Sequence, residues 1–140
     1  MIRSGLFIGL LILVLSGCGA QLGDEPSRRV VQGTVIYEEA PITDGLIRFT
    51  PLGEQGGPAS SAYIKNGTFI IDHKGGVPLG THRVQVEAYR PVDKKVEDSP
   101  MDDGPSTEQY LPDEWNSAST LEIQIEAGQE PLKHEFKLKK

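Results

Sequence analysis

The residue best suited to chemistry is Cys18, the only cysteine in the 140-residue sequence. The thiolate of a cysteine is a strong nucleophile, and a single cysteine cannot form a disulfide within its own chain. The residues before it, Leu15-Ser16-Gly17, are one aliphatic and two small residues. Small residues at this position fit the narrow pocket of a peptidase that removes a leader. The pattern therefore predicts a cut before Cys18 and a modification of its thiol.

The segment that must position this cut is Leu6 to Leu15, which reads LFIGLLILVL and carries no charge. A helix of about ten residues is roughly 15 Å long, about half the hydrocarbon core of a bilayer. That length is too short to span a membrane stably, but it is typical of the apolar part of a secretion signal. Arg3 supplies the positive charge that precedes such a part. We therefore predict that residues 1–17 are a signal peptide.

Leu15-Ser16-Gly17-Cys18 resembles the lipobox of bacterial lipoproteins. The resemblance implies that signal peptidase II recognises these four residues and that Cys18 carries lipid. Since each buried methylene contributes about 0.8 kcal/mol, two or three acyl chains make such an anchor effectively permanent. The expected location is the cell envelope, with the protein held to a membrane by lipid. Gly19 favours the outer membrane, because an aspartate there retains lipoproteins in the inner membrane of some bacteria.

The chain without its leader is acidic. The sequence has a formal net charge of −6, and removal of residues 1–17 takes away the single positive charge of Arg3, which leaves −7. This charge opposes binding to nucleic acid, and no basic patch with interleaved aromatic residues counteracts it. Residues 18–29 are polar, contain Gly, Pro and Ser, and are predicted to be a flexible tether behind the lipidated cysteine.

From Val30 onward, apolar residues recur at every second position in short runs between turn residues. Asn66-Gly67 between two such runs predicts a tight hairpin, because both residues tolerate positive φ. About seven short strands of this kind predict an all-β domain of antiparallel sheets, a two-sheet sandwich or a barrel. The side chains predicted to face inward are Val31, Gly33, Val35, Tyr37, Ile47, Phe49, His82, Val84, Val86, Ala88, Leu121, Ile123, Ile125, His134, Phe136 and Leu138.

Residues 90–119 interrupt this rhythm with four prolines and many acidic side chains. Loops of this length are uncommon in compact domains and are often functional or disordered. We predict a solvated acidic loop whose end, from Tyr110 to Trp115, packs on the edge of the domain.

Several segments resemble, in their order and spacing, the carboxypeptidase regulatory-like domains, and in particular small lipoproteins of that type from planctomycete bacteria. The resemblance covers about residues 30–138 and implies a seven-stranded Greek-key sandwich of the transthyretin type for a domain at residues 30–140. It implies an accessory, non-catalytic module, although one fold hosts many functions. The segments are Val31-Gln32-Gly33-Thr34-Val35, Asn66-Gly67-Thr68-Phe69, residues 77–86 and Tyr110-Leu111-Pro112-Asp113-Glu114-Trp115.

The sequence departs from the family pattern in three places. His82 stands where the family favours tyrosine, and Asn66-Gly67 replaces the commoner Asp-Gly. Glu38-Glu39-Ala40 stands where a tighter turn that contains glycine is usual. The last departure bears on the geometry of the first hairpin.

No set of side chains predicts an active site or a metal site. His73 is expected in an exposed loop, and no His-x-His or Cys-His spacing of a zinc site occurs. No serine lies in a Gly-x-Ser-x-Gly elbow. Hydroxyisourate hydrolases share the transthyretin fold, but their C-terminal Tyr-Arg-Gly-Ser is replaced by residues 137–140, Lys-Leu-Lys-Lys. We therefore predict no enzyme activity, no metal and no cofactor.

Two weaker site hypotheses remain. Asp98, Asp102-Asp103-Gly104 and Glu108 offer oxygens to calcium, but without the spacing of an EF-hand, and a solvated acidic loop is the simpler interpretation. Tyr110 and Trp115 are candidate ligand contacts, because aromatic faces stack on sugars, although they also suit the role of loop anchors. The leading hypothesis is an envelope module for protein or glycan contact. A carbohydrate-binding module and a transthyretin-related hydrolase are the alternatives.

Overall fold

A computed structural model describes residues 26–54, 56–92 and 106–140. These residues form eleven β-strands and two short 3-10 turns, at His73–Gly75 and Asp113–Trp115. The prediction of an all-β domain is confirmed. The strands are β1 (Arg28–Arg29), β2 (Val31–Tyr37), β3 (Ala40–Pro41), β4 (Asp44–Pro51), β5 (Ser60–Lys65), β6 (Thr68–Ile71), β7 (Val77–Pro78), β8 (Gly80–Pro91), β9 (Thr107–Gln109), β10 (Glu122–Ile125) and β11 (Leu132–Leu138).

Nine of these strands form one continuous sheet, and β1 and β7 form a small second one. The large sheet has the order β10-β8-β4-β5-β6-β2-β11, with β3 beside β2 and β9 beside β8. All its pairings are antiparallel, as predicted, except that β11 runs parallel to β2. The last strand therefore points in the same direction as the first long one.

The large sheet is curled so that its distant strands share one core. β4 and β11 are four positions apart in the strand order, which in a flat sheet would separate them by roughly 19 Å, at about 4.8 Å per strand. The ring centroids of Phe49 on β4 and Phe136 on β11 are only 6.1 Å apart. Phe69 on β6 lies 6.2 Å from the first ring and 6.0 Å from the second.

The core follows the predicted alternation closely. Most of the side chains predicted to face inward are buried, while Gly33, Tyr37 and Leu121 are only partly buried and His134 is exposed. Burial of apolar area at about 25 cal/mol per Å² is the main source of stability for such a domain. The buried apolar residues are Val31, Val35, Ile42, Ile47, Phe49, Ile64, Phe69, Ile71, Val77, Val84, Val86, Ala88, Leu111, Ile123, Ile125, Phe136 and Leu138.

The outer side of β8 is covered by the segment that follows the acidic loop. β10 pairs with Gly80–Arg83, and β9 pairs with Tyr89–Pro91. Between them, the Val84 N–H donates to the carbonyl oxygen of Leu121 at 2.7 Å, and the Ser119 hydroxyl donates to the carbonyl oxygen of Val84 at 2.5 Å. The predicted loop therefore contains a strand and a 3-10 turn in its second half, while residues 93–105 lie outside the described residues.

Two hairpins turn with positive φ at both central residues. Asn66-Gly67 joins β5 to β6 with φ of 49° and 78°, so the predicted hairpin is confirmed. Glu38-Glu39 joins β2 to β3 with φ of 49° and 67°. Glycine and asparagine adopt this conformation readily, whereas for other L-residues it costs about 1–2 kcal/mol each. The first hairpin is therefore the strained one.

The domain begins earlier than Val30. Arg28–Arg29, predicted as the end of the tether, forms β1 and pairs with Val77–Pro78. The Leu79 N–H also donates to the carbonyl oxygen of Ser27 at 2.9 Å. This pairing has no recognisable sequence signal, because two arginines between a serine and a valine show no alternation.

Candidate functional site

The predicted lipidation motif, Leu15-Ser16-Gly17-Cys18, lies outside the described residues. Seven residues, 19–25, separate Cys18 from Pro26, where the described structure begins. Within the described ranges, no helix has the length and apolar character needed to cross a membrane.

The chain enters the domain at a corner built around Arg29. The Arg29 guanidinium donates to the carbonyl oxygens of Glu130 at 2.8 Å and Glu126 at 3.2 Å, which holds the loop between β10 and β11. A Cβ added to Gly128 would lie 2.6 Å from the Arg29 Cζ, so glycine leaves room for the arginine in this loop. The Leu132 N–H donates to the carbonyl oxygen of Val30 at 2.8 Å. The start of β2 and the start of β11 are thus fixed together at this corner.

A cleft of about 900 Å³ opens beside the same corner. Prolines and leucines, among them Pro51, Pro58 and Leu79, form much of its wall, together with main-chain groups. Arg28 and Glu54 are its charged lining residues in the described part of the chain. The Arg28 guanidinium is already engaged, because it donates to the carbonyl oxygen of Gly76 at 2.9 Å. Among its described lining residues, the cleft therefore combines apolar side chains with polar groups, largely of the main chain, and it shows no paired acid and base groups.

His82 lies at the inner wall of this cleft and is only 1% exposed. Its Nδ1 lies 3.1 Å from the carbonyl oxygen of Gly80, which can only accept, so Nδ1 carries the proton. Nε2 is buried with no hydrogen-bond partner, and the ring packs edge-on to Phe49. Burial lowers the pKa of His82 below its ordinary 6.5, against a smaller opposite effect of the Gly80 hydrogen bond. The predicted inward position is confirmed.

The structure does not bring the three histidines together into a ligand set. His73 is exposed in the 3-10 turn after β6, as predicted. The prediction that His134 is buried is wrong: its ring centroid lies 4.4 Å from that of Phe136, with the rings tilted by 56°, and the side chain is exposed. It lies on the expected face of β11, at the rim of the core. Over residues 26–54, 56–92 and 106–140, no three His, Cys, Asp or Glu side chains are placed to hold a metal.

Tyr110 and Trp115 both pack against the core and are partly buried. Tyr110 lies 6.2 Å from the ring of Tyr37, and the Arg90 guanidinium carbon lies 5.5 Å from the Tyr110 ring centroid. Desolvation raises the pKa of the Tyr110 hydroxyl, and nearby Arg90 opposes that shift. The Trp115 indole N–H donates to the carbonyl oxygen of Lys139 at 3.0 Å. These contacts are those of loop anchors, and the role of the two residues in binding a ligand stays a prediction.

Of the acidic groups considered for calcium, only Glu108 lies within the described residues. It accepts a hydrogen bond from Arg90 Nε at 2.6 Å, where β9 pairs with β8. Both side chains are about half exposed, so the pair contributes at most about 1 kcal/mol. Glu108 thus has a structural partner of its own.

The polar residues that fix the covering of β8 carried no recognisable sequence signal. Asn116 is buried, and its Nδ2 donates to the carbonyl oxygens of Leu111 at 3.3 Å and Pro112 at 3.2 Å. Its own carbonyl oxygen accepts from Gln85 Nε2 at 2.9 Å. The Asn116 side chain therefore closes the turn at Asp113–Trp115, and its backbone attaches that turn to β8.

Comparisons with known proteins yield no relative: no family model matches the chain, and neither a curated protein nor a solved structure matches it. The resemblance to carboxypeptidase regulatory-like domains therefore stays a prediction that rests on the segments quoted above.

Proposed function

We propose that this protein is a bacterial envelope lipoprotein whose β-domain is a non-catalytic contact module. The observation that carries the proposal is the run from Leu6 to Cys18, an apolar segment of signal-peptide length followed by aliphatic, small, small, cysteine. Lipid on Cys18 would anchor the chain, and the residues up to Pro26 would span at most about 28 Å. The domain would then stay close to the membrane surface.

We further propose that the curled sheet is the Greek-key sandwich of the transthyretin type implied by the resemblance. The strand order supports this, because β4, β5 and β6 are neighbours in sequence and in space, and β8 returns to lie beside β4. A spatial order of fourth, first, second, third is the Greek-key arrangement. The aromatic contacts between Phe49, Phe69 and Phe136 support two layers around one core.

The hydrogen bonds of the buried polar groups favour a contact role over catalysis. The buried polar groups of Asn116 and Ser119 bond to backbone atoms of their own domain. His82 bonds to the Gly80 carbonyl, and His73 and His134 lie on other elements. A glycan-binding role for Tyr110 and Trp115 is less well supported, because Arg90 lies against the first and the indole N–H of the second is already bonded.

The anchor is tested by Cys18→Ser in the native host, with Ser4→Ala, in the same leader, as the matched control. We expect the unaltered chain and the control to fractionate with membranes and to incorporate a labelled fatty acid. The Cys18→Ser chain should lose the label and keep residues 1–17, because the peptidase cuts only before the lipidated cysteine. Fatty-acid labelling of the Cys18→Ser chain, or membrane attachment and processing unchanged by the substitution, would contradict the proposal.

The contact role is tested by cross-linking the lipidated protein in cells and identifying what is captured by mass spectrometry. A reproducible protein or glycan partner supports a contact module. Capture of lipid and abundant bystanders alone counts against it.

A further inference from the structure

Within residues 26–54, 56–92 and 106–140, the outer side of β11 is an open sheet edge. β11 is the last strand in the order of the large sheet, and β2 is the strand with which it pairs. The Leu132 N–H donates to Val30, and the Leu138 carbonyl oxygen accepts from Glu38 at 3.0 Å. In a parallel pair the bonding groups of one residue point to the same neighbour. Even-numbered residues of β11 therefore face β2, and Lys133, Glu135 and Lys137 direct their N–H and C=O groups outward.

In the part of the chain that the structure describes, these outward groups are free to pair. The described residues provide no backbone partner outside β2 for Lys133, Glu135 or Lys137. All three residues are exposed. Two residues after Lys137, the carbonyl oxygen of Lys139 accepts the Trp115 indole N–H. That tryptophan marks the end of the open stretch, because it occupies the next acceptor along the edge.

The charge of this edge is opposite to that of the rest of the chain. Residues 133–140 contain four lysines and one glutamate, a net charge of +3, in a sequence whose net charge is −6. Glu135 is paired with Lys137 at 2.7 Å, so it does not offset the remaining lysines independently. A cationic edge attracts an acidic partner and repels a basic one. Lysine on an edge strand also discourages self-pairing, so a second copy of β11 is a poor occupant.

The outward backbone groups of this edge favour a protein partner over anionic lipid. β11 starts beside Val30, next to the proposed tether, and runs parallel to β2 away from that corner. Six residue steps from Leu132 to Leu138 carry it roughly 20 Å. Lys137, Lys139 and Lys140 therefore lie at the end of the strand farther from the corner where the chain enters the domain. Lipid headgroups carry no peptide backbone to pair with the outward N–H and C=O groups, whereas an extended peptide segment does.

From these observations we infer that the open edge of β11 binds an extended acidic segment of another protein, which adds to the sheet as a further strand. Backbone hydrogen bonds to Lys133, Glu135 and Lys137 would provide the attachment, as in known cases of strand addition. The lysine side chains would select for carboxylates. This inference deepens the proposed contact role and rests on it.

The test uses the full-length chain in detergent micelles, so that it does not depend on attachment through Cys18. The probe is a capped peptide that alternates glutamate and valine, and the comparison peptide alternates lysine and valine. At low ionic strength we expect the acidic peptide to bind, to protect the amides of Lys133, Glu135 and Lys137 from hydrogen exchange, and to shift their NMR signals. The basic peptide should not bind, should not protect these amides and should not shift their signals.

Two substitutions separate charge from backbone pairing. Lys133→Glu should weaken binding of the acidic peptide about fivefold, as expected for reversing one exposed charge. Lys74→Glu, an exposed lysine in the turn at His73–Gly75, is the charge-matched control and should leave binding unchanged. Glu135→Pro removes an N–H that faces away from β2, so the fold should survive while peptide binding is lost. A thermal melt checks that each variant is folded.

Three results would overturn the inference. If both peptides bind equally well, or if the folded unaltered chain binds neither, the edge does not select an acidic partner. Binding that falls with Lys133→Glu but not with Glu135→Pro means attraction by charge without strand addition. Vesicles rich in phosphatidylglycerol that protect the same amides better than the peptide would assign the edge to the membrane. Each result leaves the Cys18 anchor, tested separately, intact.

Discussion

The two ends of the large sheet are finished in different ways. The outer side of β8 is covered along its length by β10, by the segment from Asn116 to Leu121, and by β9. The outer side of β11 has no strand beside it and is bonded within the described residues only at Lys139. β8 lies in the best-buried part of the core, with Val84, Val86 and Ala88 fully buried. In β11, only Phe136 and Leu138 are buried.

The difference indicates that the covered edge of β8 contributes to the stability of the fold and that the edge of β11 remains accessible to a partner. An edge covered by specific hydrogen bonds cannot accept another strand without losing them, since buried backbone groups need partners. An exposed edge that carries lysines is soluble on its own and remains available. We therefore expect substitutions near β8 to change the free energy of unfolding, and substitutions along β11 to change binding.

The largest effect on stability is expected for Asn116→Ala. The change removes the Asn116 Nδ2 group, which donates to the carbonyl oxygens of Leu111 and Pro112. Each carbonyl keeps a second donor, Gln109 Nε2 for Leu111 and the Trp115 N–H for Pro112, so the change costs two hydrogen bonds at about 0.5–1.5 kcal/mol each. For a domain of this size, the resulting loss of about 1–3 kcal/mol lowers the melting temperature by roughly 5–15 °C. Calorimetry or a denaturant titration measures the change.

The same variant tests the covering of β8 directly. The Val84 N–H donates to Leu121, at the far end of the Asn116 segment. Its hydrogen exchange should accelerate in Asn116→Ala, whereas Ser117→Ala, an exposed neighbour, should leave both exchange and stability close to those of the unaltered chain. If Asn116→Ala melts within a degree or two of the unaltered chain, Asn116 does not hold this edge.

A smaller, pH-dependent effect is expected from His82, which pairs with Ile123 where β10 begins to cover β8. The folded-state pKa lies below 6.5, so the unfolded chain binds the proton more readily. The stability is therefore full above pH 6.5 and declines as the pH falls through the folded-state pKa. Urea titrations between pH 7.5 and 5.5, above the usual range of carboxyl titration, measure this decline.

His82→Leu removes the titrating group while keeping a side chain of similar volume. We expect this variant to lose the decline between pH 7.5 and 5.5, whatever its absolute stability. His73→Gln, at an exposed position, is the control and should keep the decline of the unaltered chain. An unchanged decline in His82→Leu would mean that another group is responsible.

The two ends of the sheet also differ in how much of their structure can be predicted from the sequence. Alternation over residues 81–88 predicted the buried face of β8, and Asn66-Gly67 predicted the hairpin between β5 and β6, because these signals are local. The covering of β8 depends on Asn116, whose partners are backbone carbonyls, and any residue type presents those. The parallel pairing of β11 with β2 depends on how the chain closes its core, and a strand pattern is the same for both directions. For the anchor, the sequence motif remains the whole basis, since Cys18 lies outside the described residues.

The smallest effect is expected in the turn between β2 and β3, at the end of the sheet with the open edge. Glu39 has a φ of 67°, which favours glycine, and Glu39→Gly should stabilise the domain by about 0.5–1 kcal/mol. Glu38 is kept because its carboxylate accepts the Lys140 N–H at 3.2 Å, beside β11. The measurement is a denaturant titration at neutral pH.

The reciprocal change in the other hairpin provides the matched comparison. Gly67 has a φ of 78°, and an added Cβ would lie 2.6 Å from the Pro41 Cβ, so Gly67→Ala should destabilise the domain by more than Glu39→Gly stabilises it. The two turns share a backbone conformation and differ in residue type, so opposite signs are the expected outcome. If Glu39→Gly is neutral or destabilising, the contacts of Glu39 outweigh the backbone strain. The turn between β2 and β3 would then be more stable than the positive φ of Glu39 indicates.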